Sequence, residues 1–244
     1  MLYRTDILLQ QLGLAQSRQQ AQNLIKEGKV FYQGAKIEKP SQRIPDQAEL
    51  ITITEACPYV SRGGLKLQAA LDHFRISVDH LEALDIGAST GGFTDCIRQR
   101  GAQHVTCLDV GHHQLNESLR GDPRSVNLEG YHASRLPQYT LPFPSYPLIV
   151  MDLSFISLTR VLEAAWERVS PAGHAIVLIK PQFELDANAI GKKGVVKSPD
   201  LREEAVEKIR NHVNHHLTDS RILGTLPSPI EGKNGNHEYL MAIY

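Results

Sequence analysis

The sequence predicts an α/β fold, a mostly parallel sheet with helices on both faces, preceded by a small α+β unit. Three observations predict it. From about residue 81 onward, short apolar runs alternate with helical stretches, the pattern of buried parallel strands joined by crossover helices. A glycine-rich turn, Asp85-Ile-Gly-Ala-Ser-Thr-Gly-Gly-Phe-Thr-Asp95, follows the first run and opens a helix. Ahead of it lies a separate helix–helix–strand pattern, which ends where Glu55-Ala-Cys-Pro-Tyr59 breaks the regularity.

Each element has a local cause. Asp6 to Leu12 reads as a short helix stopped by Gly13. Ser17-Arg-Gln-Gln20 is a capping-box pattern. Ala21, Leu24, Ile25 and Gly28 then recur at i, i+3, i+4 and i+7 as one apolar helical face, while Arg18, Gln22, Lys26 and Lys29 lie on another. Val30-Phe-Tyr32, a Gly34 turn, Ile37 and Leu50–Ile53 read as short strands, with Pro40 and Pro45 breaking the middle. Further on, strands are expected at Leu81–Ile86, Val105–Val110, Ser125–Leu128, Leu148–Met151 and Ala175–Lys180. Helices are expected from Gly92, over 157–169 and over 199–217, and two strands close the chain. The units are therefore drawn as 1–56, a linker over 57–61, and 62–244.

Composition narrows the function classes. With 26 basic and 27 acidic residues the formal charge is −1, which gives no whole-chain sign of a nucleic-acid partner. The 41% hydrophobic and 22% charged fractions exclude a wholly disordered chain. No apolar run reaches the roughly 18 residues of a membrane helix, and MLYRTDILLQQLG lacks a secretory cleavage site. Cys57, Cys96 and Cys107 are scattered, supporting neither a disulfide framework nor a zinc site and suiting a reducing cytoplasm. No metal is expected. The neutral total hides a contrast: residues 1–75 carry ten basic and seven acidic side chains, or +3, and the remainder −4.

The glycine turn is neither G-x-G-x-x-G nor a Walker A loop, since Ser89 and Thr90 fill its middle and no Gly-Lys-Ser/Thr follows. Alone, it fits a nucleotide-like cofactor or a plain structural turn equally. Asp109 closes the second strand, where a carboxylate can accept hydrogen bonds from a ribose diol. Four further polar residues stand out. Lys66 opens the helix before the turn, Asp152 and Lys180 close two hydrophobic strands, and Glu238 opens or lies within the last one. Singly, each reads as a solvated strand end or a surface pair. Two of them ending hydrophobic strands point to a shared crevice, because those ends converge on the ligand site.

D-I-G-A-S-T-G-G-F followed by Asp109 resembles the Rossmann-like class I methyltransferases that use S-adenosylmethionine. The resemblance implies a cofactor site of Asp85, Gly87, Ala88, Ser89, Thr90, Gly91, Gly92, Phe93 and Asp109, with Asp85 near the methionine end and Asp109 on the ribose. Glu129 or His132 would border the adenine. Lys66, Asp152, Lys180 and Glu238, in that order, resemble the catalytic tetrad of FtsJ-type ribose 2'-O-methyltransferases. R-x-D-x-L-L…G-L-A-x-S-R-x-x-A-x-x-L-I-x-x-G-x-V…G…K-P, from Arg4 to Pro40, resembles the RNA-binding domain named after the fourth small-subunit ribosomal protein. By that resemblance Arg4, Ser17, Arg18, Gln22, Lys26 and Lys29 are expected RNA contacts that position phosphates. Arg62, Lys192 and Lys193 join them, the two lysines in a loop over 184–198 that reads either as an ordinary mobile loop or as an RNA-gripping lid. The whole chain resembles the TlyA family, which is associated with ribosomal RNA methylation and often labelled haemolysin. The implied partner is ribosomal RNA or a ribosomal subunit, methylated at ribose 2'-hydroxyls with cytidine as the expected nucleoside.

A ribose 2'-hydroxyl is a poor nucleophile at neutral pH, so its methylation needs alignment and a proton acceptor. A lysine accepts that proton only when its pKa falls well below about 10.4. The resemblance therefore makes Lys180 the base or hydroxyl-orienting amine, Lys66 a neighbouring like charge that positions the ribose, and Asp152 and Glu238 the carboxylates that hold the amines. Three other classes compete. A membrane-active haemolysin would want an apolar span or an amphipathic membrane helix. A non-catalytic RNA-binding protein would have lost the turn or the tetrad. A base methyltransferase would more usually carry an Asn/Asp-Pro-Pro-Tyr strand end, whereas Leu153-Ser-Phe follows Asp152.

Overall fold

The computed structural model describes residues 2–53, 57–191 and 194–244. The chain forms two compact units, Met1–Cys57 and Pro58–Tyr244. The division falls after Cys57, so the stretch expected as linker packs on the second unit. Tyr59 Oη donates to Gln68 at 2.9 Å, and the Val60 N–H donates to Asp95 at 2.8 Å. This boundary also moves Arg62, Lys66 and Arg75 into the second unit. The first unit then carries seven basic and six acidic residues and the second nineteen and twenty-one, a weaker contrast than the division at residue 75 suggested.

In the first unit, β1 (Leu2–Arg4), α1 (Thr5–Gln11), α2 (Arg18–Lys26), β2 (Val30–Tyr32), β3 (Ala35–Lys36), β4 (Arg43–Pro45) and β5 (Ile51–Ile53) follow in order. Ser17 caps α2 by accepting from the Gln20 N–H at 3.1 Å. The Gln20 side chain returns to the Gln16 N–H rather than to Ser17. Gln33 and Gly34 both have positive φ, which fits a two-residue hairpin whose twist matches its strands, and Tyr32 pairs with Ala35 across it. The stretch between Pro40 and Pro45, expected to be broken, contains β4, which pairs antiparallel with β1. Pro45 sits at the last paired position of a two-stranded ribbon, where a missing N–H is tolerated. Leu8, Leu9, Ala21, Ile25, Val30, Ile37 and Ile44 form the core.

In the second unit the order is α3 (Gly63–Phe74), β6 (Glu82–Ile86), α4 (Gly92–Gln99), β7 (His104–Asp109), α5 (Glu117–Arg120), β8 (Ser125–Glu129), β9 (Tyr146–Met151), α6 (Leu162–Trp166), β10 (Val169–Ile179), α7 (Pro181–Glu184), α8 (Pro199–His216), β11 (Ile222–Pro227) and β12 (Tyr239–Ile243). The seven strands are ordered β11-β12-β10-β9-β6-β7-β8, and only β12 runs antiparallel to its neighbours. Alternate strand residues face opposite layers. Ile86, Met151, Val177 and Ile243 pack with Ile209 and Val213 of α8. Ala83, Val150, Leu178 and Leu240 pack with Leu67 and Leu71 of α3 and Ile97 of α4.

The helix expected over 157–169 is cut down to a 3-10 turn over Leu158–Arg160 and the five-residue α6. Val161 between them is non-helical, and Val169 is drawn into β10 opposite Tyr146. Sheet pairing outweighs helical periodicity there. Cys96 and Cys107 are core residues whose thiols burial pushes up to about 11 and about 12. Among the described residues no helix is long and apolar enough to cross a membrane.

Candidate active site

Strand order reverses between β6 and β9, and the crevice at such a reversal is where open parallel sheets bind ligands. The glycine turn fills it. Gly87, Ser89 and Gly91 all have positive φ, and the Gly87 N–H donates to the Leu108 carbonyl at 2.8 Å, tying the turn to β7. A Cβ on Gly87 would stand 2.5 Å from the Asp152 carbonyl oxygen, so only glycine lets the turn lie against the end of β9. Asp109 locks the turn from the other side, its Oδ2 accepting from the Ser89 N–H at 2.8 Å and its Oδ1 from the Gly111 N–H at 2.7 Å.

A cleft of about 640 Å³ opens above these contacts, walled by Gly87, Ser89, Asp109, Val110, Tyr131, His132, Leu153 and Ser154, among others. Of the expected cofactor residues, Gly87, Ser89 and Asp109 line it. Ala88 and Phe93 are buried in the core, and Gly91 and Gly92 serve close packing, against Leu119 and Ser61 respectively. Thr90 is exposed, its carbonyl accepting from the Asn116 N–H. Of the two residues proposed beside an adenine, His132 reaches the cleft wall. Glu129 instead accepts from the His113 N–H and Asn127, which hold its carboxyl below the ordinary range.

Asp85 lies beneath the turn, fully buried. Thr94 donates to its Oδ2 at 2.6 Å, and its Oδ1 has no partner among the described residues. Burial pushes this carboxyl up to about 7, with smaller contributions from Asp152 and Asp109. A buried carboxylate with an unused acceptor, a glycine cradle and a strand-end carboxylate fit a cofactor that carries positive charge and a ribose.

Strand register assembles the other four residues. Ile179 pairs with Tyr239, which places Lys180 and Glu238 at neighbouring strand ends, and Val177 pairs with Met151, which brings Asp152 alongside. Lys66 arrives from the first turn of α3, a helix packed on β12. Lys66 Nζ donates to Glu238 Oε2, and both side chains are buried. Lys180 Nζ lies 2.5 Å from Asp152 Oδ1, an ion pair out of hydrogen-bond alignment, and donates to Ser154 Oγ at 3.0 Å. The four residues thus form two ammonium–carboxylate pairs, and Lys180 reaches the cleft wall through Ser154. Buried amines held this way keep fixed directions, since breaking either pair would strand a charge.

Sequence reasoning missed Ser154 and Phe155. Phe155 is 87% exposed, has a left-handed φ of 66°, and stands with its ring 5.2 Å from that of Phe183. The two rings border a second hollow that shares Phe155, Ile156 and Arg160 with the cleft. An aromatic side chain this exposed at a cleft rim is a signal visible only in three dimensions.

In the first unit, three expected RNA contacts converge on one acid. Asp6 is fully buried and accepts from Arg4 through two hydrogen bonds of 3.0 Å, from Arg18 at 3.0 Å and from Gln22 at 2.9 Å. The Arg4 guanidinium, aided by Gln22 and Arg18, holds its carboxyl well below the usual range. The sequence places Asp6 at the start of a helix and in the R-x-D motif but assigns it no part in holding Arg4, Arg18 and Gln22. Ser17 is occupied as a helix cap, Lys26 is exposed, and Lys29 pairs with Glu27. Arg62 is exposed at the start of α3. Lys192 and Lys193 lie outside the described residues.

Residues 59–244 match the FtsJ-like methyltransferase family and residues 4–50 the S4 domain. The chain is 42% identical over 239 residues to a 16S/23S rRNA (cytidine-2'-O)-methyltransferase TlyA of Mycobacterium tuberculosis, covering 98% of this chain and 88% of the relative. It is 38% identical to Hemolysin A of Brachyspira hyodysenteriae, covering 97% and 98%. A solved Streptococcus thermophilus structure, named as a candidate hemolysin, superposes with a TM-score of 0.73 at 36% identity over 99% of this chain and 88% of that one. With an S4 unit ahead of an FtsJ-like unit and these full-length similarities, the chain belongs to the TlyA family of FtsJ-like methyltransferases.

Proposed function

We propose that the protein transfers a methyl group from S-adenosylmethionine to the ribose 2'-hydroxyl of cytidine in ribosomal RNA. The observation that carries this reading is the pair of ammonium–carboxylate contacts, the buried Lys66–Glu238 and the partly exposed Lys180–Asp152, at strand ends next to a glycine-walled cleft. The M. tuberculosis relative bears that activity in its name. Cytoplasm is the compartment the reading assigns, because ribosomal RNA is found there.

S-adenosylmethionine, when bound, supplies a methyl group activated by its sulfonium. Asp109 sits at a strand end where its carboxylate can take the cofactor ribose, and Asp85 places negative charge under the turn. Lys180 Nζ would orient the 2'-hydroxyl toward the activated methyl group and, once deprotonated, would be the base that takes the hydroxyl proton. Asp152 and Ser154 fix the direction of that amine. Lys66, held by Glu238, positions the ribose. Phe155 and Phe183 offer an aromatic surface to the target nucleotide, the usual way to hold an unstacked base. Arg4, Arg18 and Lys26 position phosphates, which accounts for affinity without sequence reading.

Lys180→Ala tests the assignment. Cofactor and ribosomal-subunit binding should stay within about twofold, while methyl transfer falls by about 100-fold or more, the range of a lost general base. Ordinary turnover in that variant would remove Lys180 from the chemistry.

A further inference from the structure

Glu184 is a buried carboxylate to which the chemistry above assigns no part. It ends α7, four residues after Lys180, and is 4% exposed. Its Oε2 accepts from Ser157 Oγ at 2.5 Å and its Oε1 from the Leu158 N–H at 2.9 Å. Lys208 of α8 donates to its backbone carbonyl, tying down the residue itself. The segment after β9 is therefore gripped twice from one strand-to-helix junction. Lys180 holds Ser154, and Glu184 holds Ser157 and Leu158. Between the grips stands Phe155, in a left-handed conformation that an aromatic residue adopts only when its surroundings impose it. Desolvation raises the Glu184 carboxyl from its ordinary value, so the group is kept inside at a cost that its two hydrogen bonds offset.

We propose that Glu184 is a positioning residue that braces residues 153–158 and thereby presents Phe155 to the target nucleotide. This rests on the reading that the adjoining cleft methylates RNA. A ring displaced by about 1 Å is enough to lose catalytic alignment, and Phe155, 87% exposed, meets the ring of Phe183 at 5.2 Å.

The test uses the full chain, ribosomal subunits and labelled S-adenosylmethionine, with cofactor affinity measured separately by calorimetry. Glu184→Ala should lower kcat/KM for the RNA by roughly tenfold to a hundredfold and cofactor affinity by a much smaller factor, since Leu153 and Ser154 of the braced segment also wall the cleft. Glu184→Gln should recover most of the loss, since its carbonyl still accepts from Leu158 and its amide can donate to Ser157. The double variant Glu184→Ala/Phe155→Ala should be no worse than Phe155→Ala alone, because a brace has nothing left to present. Losses that multiply in the double variant, a Glu184→Gln protein as poor as Glu184→Ala, or an equal loss of cofactor affinity would each overturn the brace. Should Glu184→Ala fail to fold, Ser157→Ala removes only one grip and must show the same non-additivity with Phe155→Ala. A wild-type protein that transfers no methyl group to ribosomal RNA would remove the underlying reading, and the brace with it. An active wild type with multiplying losses removes the brace alone.

Discussion

Replacing Asp85 with Asn should make the protein without cofactor more stable at alkaline pH while weakening its hold on the cofactor. The carboxyl is fully buried, keeps one oxygen unpartnered, and is raised from 3.8 to about 7. A carboxyl whose folded pKa is raised is favoured while protonated, so its native-state stability is intact below about pH 4 and is progressively lost as pH rises toward about 7. About three pKa units at about 1.4 kcal/mol each put the full cost near 4 kcal/mol. Asn carries no charge and still accepts from Thr94, but its amide is left unpaired at about 1–3 kcal/mol. At about pH 5 the two effects roughly cancel, and at about pH 8 Asn gains about 1–3 kcal/mol. Urea unfolding of both proteins at several pH values, followed by fluorescence of Trp166, measures the difference directly. A stability difference that stays flat between about pH 5 and pH 8 would refute the argument, because it would mean the buried carboxylate costs nothing to ionise. Cofactor titrations on the same samples should show weaker binding to the Asn variant if, as proposed, the Asp85 carboxylate places negative charge under the turn for a cationic cofactor.

Two further substitutions probe other parts of the molecule. Gly87→Ala should destabilise the second unit by about 2 kcal/mol or more and abolish cofactor binding, because φ is +87° and the new methyl meets the Asp152 carbonyl; chemical denaturation and calorimetry measure both. Asp6→Asn removes no cation yet should weaken binding to a ribosomal RNA fragment roughly tenfold, since charge-assisted bonds to Arg4 and Arg18 are lost. The Asp6 carboxyl is depressed in the fold, so its stabilisation is present above about pH 4 and is lost as pH falls further; the Asn variant should lack that acid-dependent step in melts of the first unit.

The features legible in the sequence are those with short-range causes. The Ser17 cap, the Gly13 stop and the buried strands at β6, β9 and β10 follow from residue type and spacing. Asp152, Lys180 and Glu238 were legible as polar residues at strand ends and Lys66 as a helix-opening lysine. Their grouping came from the resemblance, and strand register with the packing of α3 on β12 accounts for the two ion pairs. What stayed hidden depends on distant partners. The pairing of β1 with β4 joins residues about forty apart, and no local pattern in Leu2-Tyr-Arg4 announces it. The helix over 157–169 was overestimated because its apolar period is genuine, but Val169 finds a better partner in Tyr146. Asp6, Ser154 and Glu184 were passed over because a lone acid or serine acquires meaning only from what it touches. The turn residues Ala88, Gly91, Gly92 and Phe93 belong to the expected cofactor set by position along the chain, yet the backbone directs them into packing.

The antiparallel insertion of β12 between β10 and β11 has a consequence for biosynthesis. Lys66 and Glu238 are 172 residues apart, and β12 completes the sheet centrally rather than at an edge. A ribosome making this chain therefore releases Lys66 long before its partner exists, and a nascent chain stopped before β12 presents two strands with unpaired edges and an ammonium without its carboxylate. On the proposed roles of Lys66 and Glu238, methyl transfer therefore needs β12 in place, and a chain stopped before it would be inert toward the particle producing it.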